Sequence, residues 1–138
     1  MARNSVSLSS TNTDSPREQI LHSAISLFSR KGYAATGVQE ILDPVHLSKP
    51  TLYYYFESKA GLFKAIIDHA FEEYFSLIET AVAKQRSCED KLIAAASALF
   101  HFTTQNQDLT RLVFATAFAA ADEIPPGAIN VGQFVAGW

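Results

Sequence analysis

The sequence predicts an all-α fold, and two observations carry this prediction. Apolar residues recur at three- and four-residue spacing along most of the chain, as in Ile20, Ala24 and Phe28 near the N-terminus. The stretch from residue 59 to about residue 86 contains no proline and keeps this spacing, which is typical of one long helix. We expect six helices, at 16–31, about 37–43, about 49–55, 59 to about 86, about 88–105 and about 109–122.

Side chains that cap helices mark where these segments begin. Ser15 and Glu18 have the spacing of a capping box, in which each side chain satisfies a free backbone N–H at the helix start, and Thr36 and Gln39 repeat the pattern. Pro44 ends the second helix, because proline disfavours helical backbone in the residue before it. The caps expected for the remaining helices are Ser48, Ser58, Ser87 and Asp108.

The third predicted helix contains three consecutive tyrosines and has two distinct faces. At 100° per residue, Leu52 and Phe56 share one face and are expected to anchor the helix, with Tyr53 at the border. Hydroxyls, ammonium groups and helix N-terminal amides commonly bind nucleic-acid phosphates, so the helix is predicted to touch a polyanion. Ordinary packing and surface aromatics are the competing interpretation. The outward face carries Pro50, Thr51, Tyr54 and Tyr55.

Charge is unevenly distributed along the 138-residue chain, whose formal net charge is −3. Residues 1–66 carry seven Lys/Arg and five Asp/Glu, a net charge of +2, whereas residues 67–138 carry four and nine, a net charge of −5. A basic N-terminal module joined to an acidic body suits a DNA-binding domain with a separate regulatory part. The length fits one domain, or one small domain plus part of another.

Several classes of protein are disfavoured by what the sequence contains. The single cysteine, Cys88, excludes an intramolecular disulfide and a Cys-rich zinc site, so a reducing cytoplasm is expected. No run of about 18 apolar residues occurs, and no membrane span is expected. The histidines lack metal-ligand spacing and no catalytic motif is present, so we expect no cofactor, no metal and no enzymatic activity. Residues 1–14 are polar and are expected to form a flexible tail.

One spaced pattern of residues runs through the first half of the chain. Its members are Ile20-Leu21, Ala24, Leu27-Phe28, Gly32-Tyr33, Thr36, Val38, Ile41, Leu47-Ser48-Lys49, Thr51-Leu52-Tyr53, Tyr55-Phe56, Ser58-Lys59 and Leu62. This pattern, within residues 20–67, closely resembles the N-terminal domain of TetR/AcrR-type transcriptional regulators. The resemblance implies a helix-turn-helix DNA-binding domain over residues 15–60, with its motif at about 37–56. A helical regulatory body, shorter than is usual in the family, would occupy residues 61–138.

The resemblance also implies roles for individual residues in binding double-stranded DNA. Tyr54 and Tyr55 match positions that contact the DNA backbone, and Ser48 caps the same helix. Thr36 and Lys59 match phosphate clamps at the starts of the second and fourth helices; a plain helix cap and a solvated lysine are the alternatives. The positions that match residues facing bases or nearby phosphates, from a recognition helix in the major groove, are Lys49, Pro50, Thr51 and Tyr53.

Three residues depart from the family pattern in and before the turn of the motif. The family usually has a small residue, often glycine, where His46 stands; a positive φ would strain histidine less than a β-branched residue. Pro44 falls where alanine is common and predicts an early end to the second helix. Gly37 replaces a residue with a higher helix propensity.

Aromatic residues are concentrated in the predicted body, where they suggest either a pocket or plain packing between helices. By the resemblance, the body would bind a small apolar effector, while interhelical packing remains the competing interpretation. The aromatic-rich set comprises Phe71, Tyr74, Phe75, Phe100, His101, Phe102, Phe114 and Phe118. The residues predicted to line the effector pocket are Phe71, Tyr74, Phe75, Phe100, Phe114 and Phe118.

The resemblance implies a ligand-responsive repressor that reads a palindromic operator. Such a regulator would act as a homodimer, provided that the chain has the dimerisation helices which follow the sixth helix in the family. The alternative function is that of a truncated helical interaction module, which would bind no operator tightly. This module would associate with other proteins through apolar helix faces that the shorter body leaves uncovered.

Overall fold

The computed structural model describes residues 15–117 together with residues 124 and 125. The described residues form helices joined by short connections, which confirms the all-α prediction. The predicted tail and Phe118 lie outside this part of the chain. The helices are α1 (Pro16–Lys31), α2 (Val38–Leu42), α3 (Lys49–Phe56), α4 (Lys59–Ala83), α5 (Cys88–Gln105) and α6 (Gln107–Ala117), with a 3₁₀ turn at Asp43–Val45.

Three of the predicted serine caps carry the expected hydrogen bond. The hydroxyl oxygens of Ser15, Ser58 and Ser87 each accept a bond from the backbone N–H three residues later, at 3.3, 2.9 and 3.0 Å. Each bond satisfies one of the amides that a helix start leaves without an intrahelical partner. The predicted bounds of α1 and α5 are confirmed, because their start signals are unambiguous and Gly32 ends α1 with a φ of +86°.

The start of α2 differs from the prediction. Gly37, and not Thr36, is the N-cap residue, and the Glu40 carboxylate, not Gln39, accepts the hydrogen bond from the Gly37 N–H at 2.9 Å. The Thr36 hydroxyl instead donates to the carbonyl oxygen of Gly32 at 2.7 Å. Threonine can make either bond, and burial of this side chain within the loop decides between them.

Other helix ends also differ from their predicted positions. Pro44 shortens α2 as expected, and the backbone continues as a 3₁₀ turn before the third helix. Helix α4 ends at Ala83, a few residues early, where the chain turns through a bond from the Gln85 N–H to the Val82 carbonyl at 3.0 Å. Helix α6 begins at Gln107, so Asp108 lies in its first turn and is not its cap.

A single apolar cluster joins the three-helix N-terminal unit to the body. Its N-terminal part is formed where α1, α2, α3 and the first half of α4 converge, and Phe28 and Phe63 pack edge to face at its centre, with 5.4 Å between ring centroids. Leu109 and Leu112 of α6 extend the cluster into the body. The buried apolar residues are Ile20, Ala24, Ile25, Phe28, Ile41, Leu42, Leu52, Phe56, Leu62, Phe63, Ile66, Ile67, Ala70, Phe102, Leu109 and Leu112.

The body is built on α4, which is shared between both parts of the molecule. A short connection at 84–87 folds α5 back against α4, so these two helices pack antiparallel. Helix α6 then packs mainly on α1 and less extensively on α4 and α5. Among the described helices, the body therefore meets the N-terminal unit through the continuous α4 and through the α1–α6 contact.

We expect Phe63→Ala to lower the free energy of unfolding by about 3–5 kcal/mol, because it removes a fully buried ring and leaves a cavity. Phe100→Ala is the matched control, since this ring is 72% exposed and its loss is expected to cost roughly 0.5 kcal/mol or less. Urea unfolding followed by circular dichroism measures both. Equal effects of the two substitutions would contradict the assigned core.

Candidate nucleic-acid interface

Two buried side chains hold α3 against the rest of the N-terminal unit. Leu52 has no exposed surface and Phe56 is 5% exposed, as the helical periodicity predicted. The Arg17 guanidinium lies 5.1 Å from the centroid of the Phe56 ring and covers it from the solvent side with a cation–π contact. Because both anchors lie on one face, the remaining side chains of α3 point away from the core.

The outward face of α3 presents three phenols to solvent. Tyr54 is 80% exposed, Tyr53 is 45% exposed and Tyr55 is 38% exposed. The rings of Tyr54 and Tyr55 meet edge to face, with centroids 4.9 Å apart, which restricts the positions of their hydroxyls. Large aromatic side chains are normally at least partly buried, so this degree of exposure is consistent with a contact surface.

The N-terminal turn of α3 adds hydroxyl and ammonium groups to this face. Ser48 is the N-cap residue as predicted, yet its hydroxyl makes no capping bond and lies 3.1 Å from the Thr51 hydroxyl. Lys49 and Pro50 are exposed, and no partner for the Lys49 ammonium lies within the described residues. Proline has no N–H, so the Lys49 amide is the donor nearest the helix start. The turn can therefore place donors of both kinds against an anion.

A tight turn sets the angle between α2 and α3. Its last residue, His46, adopts the left-handed conformation, with φ +55° and ψ +41°. The N–H groups of His46 and Leu47 donate to the carbonyls of Asp43 and Leu42, at 3.2 and 3.3 Å. The Gln39 amide donates to the Asp43 carboxylate at 2.6 Å and links α2 to the turn. These bonds restrict how far α3 can tilt relative to α2.

Helix α2 is in turn fixed to α1 by one hydrogen bond and one ion pair. The Ser23 hydroxyl donates to the carbonyl oxygen of Ile41 at 2.7 Å. The Lys31 ammonium pairs with the Glu40 carboxylate, and this contact, followed by the bond from the Gly37 amide, lowers the pKa of Glu40. The paired carboxylate therefore remains ionised, and keeps capping α2, below the pH at which an unpaired glutamate would be protonated.

Thr36 and Lys59 have partners other than the phosphates that the resemblance implies. Thr36 is 1% exposed, and its hydroxyl is used within the loop between α1 and α2. The Lys59 ammonium donates to the carbonyl oxygens of Tyr33 and Thr36, at 3.0 and 2.9 Å. The structure therefore places both side chains within the protein and not among the outward donors. The bonds of Lys59 differ from the solvated lysine that was the alternative, and contact of either side chain with a phosphate stays a prediction.

The junction between α3 and α4 was not anticipated from the sequence. Glu57 follows α3 with φ +69°, a conformation that L residues other than Asn and Asp adopt rarely. Gly61 in the first turn of α4 lies so close to α3 that a Cβ there would be 2.0 Å from the carbonyl oxygen of Phe56. The exposed glutamate carries no signal for its backbone conformation, whereas glycine at a helix start is a recognisable sign of close approach.

A second candidate site is an apolar cavity of about 340 Å³ between α4, α5 and α6. Three of its predicted residues, Phe71, Tyr74 and Phe114, line it. Phe75 is not part of the wall and stacks beside Phe71, with 6.2 Å between centroids, and Phe100 projects into solvent on α5. The other lining residues, which sequence reasoning did not assign to the pocket, are Ala70, Leu99, Phe102, Thr103, Thr110 and Val113.

One polar group in the wall of this cavity has no hydrogen-bond partner among the described residues. The Thr110 hydroxyl oxygen is buried and makes no hydrogen bond among the described residues, whereas the Thr103 hydroxyl donates to the carbonyl of Phe100 at 2.9 Å. A buried hydroxyl without a partner costs free energy, which a ligand with a matching polar atom could recover. The cavity therefore combines an apolar wall with one hydrogen-bonding position.

Two further features were sought in the described part of the chain. None of its helices combines the length and the hydropathy that crossing a lipid bilayer requires. Its His, Cys, Asp and Glu side chains do not converge in any group that could hold a metal ion.

The fold and the candidate interface define a helix-turn-helix protein, in which a short anchored helix is held outward by the helix and turn before it. Comparison with known proteins identifies the family. The family model described as "Bacterial regulatory proteins, tetR family" matches residues 20–66. The N-terminal domain is therefore a TetR-family domain, which confirms the resemblance drawn from the sequence.

Curated relatives and solved structures extend this similarity into the body. The chain is 28% identical over 102 residues to the probable HTH-type transcriptional regulator YttP of Bacillus subtilis, covering 72% of this chain and 49% of that protein. It is 31% identical over 111 residues to the HTH-type transcriptional activator FasR of Mycolicibacterium smegmatis, covering 80% and 51%. The chain thus spans about half the length of these relatives.

A solved structure shows the same fold over most of this chain. The structure of a bacterial regulatory protein in the tetR family from Rhodococcus RHA1 aligns with a TM-score of 0.75 and 21% sequence identity. The alignment covers 91% of this chain and 64% of the Rhodococcus protein. The arrangement of α4, α5 and α6 is therefore shared with a tetR-family protein, although at this identity the likeness concerns fold alone.

Substitution of His46 tests the conformation of the turn. We expect His46→Val to lower the free energy of unfolding by about 1–2 kcal/mol, because a β-branched residue is costly at positive φ. His46→Gly is expected to be no less stable than the parent protein, since glycine adopts this conformation without strain. Chemical denaturation compares the two variants, and a valine variant as stable as the glycine variant would argue against the left-handed turn.

Proposed function

We propose that the protein is a DNA-binding transcriptional regulator that inserts α3 into the major groove of a double-stranded operator. The observation that carries this proposal is the division of α3, in which Leu52 and Phe56 are buried while its other large side chains are exposed. The exposed set offers an ammonium and three phenols, and the half-buried Thr51 adds a hydroxyl. These groups suit phosphates and base edges, and similarity to transcription regulators supports the same conclusion.

Individual roles follow from position along α3. Lys49 and Thr51, at the helix start, are placed to approach base edges or the nearest phosphates, and Pro50 and Tyr53 would pack against the groove wall. The hydroxyls of Tyr54 and Tyr55 would bind the sugar–phosphate backbone on either side, which fixes the register of the helix without reading sequence. A DNA-binding regulator of this kind would act in the cytoplasm.

We further propose that the complete regulator binds a palindromic operator as a homodimer. One eight-residue helix makes few contacts, and tight binding normally requires two half-sites read by symmetry-related helices. Apolar side chains of α5 that are open to solvent, including Leu92 and Ile93, offer surface for further helices or a second subunit. The same exposure favours the rival function, an interaction module that binds no operator tightly.

A small apolar effector bound between α4, α5 and α6 would control DNA affinity in this proposal. The cavity volume suits a ligand of one or two rings, and the buried Thr110 hydroxyl would bond one polar atom on it. The effector would change operator affinity only if it binds one conformation of the regulator more tightly than another. Repression is the simplest output of a protein bound over a promoter, although the relative FasR is named an activator.

Removal of the Lys49 ammonium tests the DNA interface. We expect Lys49→Met to weaken binding to all duplexes and to make the slope of log K against log salt less negative by about 0.9 per protomer, the change for one lost phosphate contact. A duplex would first be selected from a random pool with the full chain. Fluorescence anisotropy from 50 to 300 mM salt would then compare the variants.

Two controls separate this interface from general electrostatic attraction. Lys91→Met makes the same change in net charge at the far end of α5 and is expected to leave the slope unchanged. Tyr54→Phe removes one hydroxyl and is expected to weaken binding about three- to tenfold without altering sequence preference. Equal slopes for the two lysine variants, or no selectable duplex, would favour the interaction module.

The effector proposal predicts a preference for an apolar ring system with a hydroxyl. We expect 1-naphthol to bind more tightly than naphthalene, by about two- to tenfold, because only naphthol can bond the buried threonine. Thr110→Val should abolish that difference while leaving naphthalene binding unchanged. Isothermal titration measures both ligands. If Val113→Phe, which would fill the cavity, binds naphthol as well as the parent chain does, the ligand lies elsewhere.

A further inference from the structure

The ammonium group of Lys59 is enclosed by the loop that connects α1 to α2. Its Nζ donates to the carbonyl oxygens of Tyr33 and Thr36, at 3.0 and 2.9 Å. It also lies 4.2 Å from the centroid of the Tyr33 ring, within the range of a cation–π contact. An ammonium has three protons; two are used by carbonyls and the ring covers a further side, so little donor capacity remains for an outside phosphate.

The two residues that supply these carbonyls are packed, whereas Gly32, Ala34 and Ala35 of the same loop are exposed. The Tyr33 ring lies 5.6 Å from the Phe28 ring and 4.9 Å from the Phe63 ring, between centroids. The Thr36 hydroxyl donates to the carbonyl of Gly32 inside the same loop. Burial lowers the pKa of Lys59 and raises that of Tyr33, as expected for groups withdrawn from water. Lys59 thus binds carbonyls held in place by their own neighbours.

The loop that Lys59 binds leads directly into α2, and α2 leads through the turn into α3. Lys59 is the first residue of α4, and Thr36 directly precedes Gly37, the residue from which α2 starts. We propose that Lys59 is a positioning residue that holds the start of α2 against α4, and so sets the recognition helix, instead of binding a DNA phosphate itself. This proposal rests on the DNA-binding function proposed above.

The test compares three lysine-to-methionine variants of the full chain, since methionine keeps most of the apolar stem and removes the charge and all donors. Lys59→Met is expected to weaken binding to the selected duplex about tenfold, with the slope of log K against log salt unchanged. Lys49→Met should make the slope less negative, and Lys91→Met should change neither the affinity nor the slope. All affinities are measured under conditions in which circular dichroism shows that each variant is folded.

Hydrogen exchange supplies a readout that needs no DNA. The Ile41 amide donates to the Gly37 carbonyl at 3.3 Å in the first turn of α2, so its exchange reports on how well that turn is held. We expect Lys59→Met to speed this exchange about tenfold while amides in the middle of α5 are unaffected. Lys59→Arg should restore part of both the protection and the affinity, because a guanidinium can also donate to two carbonyls.

The outcomes distinguish this proposal from the proposed function. If Lys59→Met makes the slope less negative by about 0.9 per protomer and leaves Ile41 exchange unchanged, Lys59 is a phosphate ligand and the positioning role is overturned. Faster exchange with an unchanged slope supports it. If the parent chain binds no duplex, the DNA-binding function fails, and unchanged Ile41 exchange in Lys59→Met would then refute the contact to α2 independently.

Discussion

The burial of Leu52 and Phe56 on the inner face of α3 is the constraint on which the candidate interface depends. A helix of eight residues is too short to be stable alone, because the cost of nucleation exceeds the gain from so few backbone hydrogen bonds. Its conformation must be supplied by the core formed by α1, α2 and α4. The exposed tyrosines are therefore presented by packing on the opposite face, and any change in that packing moves them together.

Much of this arrangement could be predicted because its signals are local. The periodicity of α3 assigned its two faces, the Ser15 and Ser87 caps fixed where α1 and α5 begin, and Pro44 marked the end of α2. The left-handed conformation of His46 was not predicted, because the glycine often found at this position in the family only raised the question of a positive φ. Sequence patterns report propensities and faces well because both depend on neighbours along the chain.

What could not be predicted depends on contacts between distant parts of the chain. The position of Lys59 at a helix start suited a phosphate contact, but carbonyls 23 and 26 residues earlier determine where its ammonium lies. Phe75 and Phe100 share the helical spacing of residues that line the cavity, and only the packing of α5 on α4 places both rings outside its wall. Composition identifies an aromatic body, whereas tertiary packing decides which rings enclose space.

In the proposed regulator, the contact between α6 and α1 would let a change in the body reach α3. Leu112 and Thr116 of α6 are buried, yet a second cavity of about 330 Å³ remains between this helix, Phe28 and the α1–α2 loop. Close-packed interfaces resist small displacements, whereas unfilled space permits an alternative packing at low cost. A ligand that shifts α6 by favouring one packing would therefore displace the loop that holds the start of α2. The change in DNA affinity cannot exceed the difference in ligand affinity between the two packings. An effector that binds both packings equally would therefore leave DNA binding unchanged, however tightly it binds.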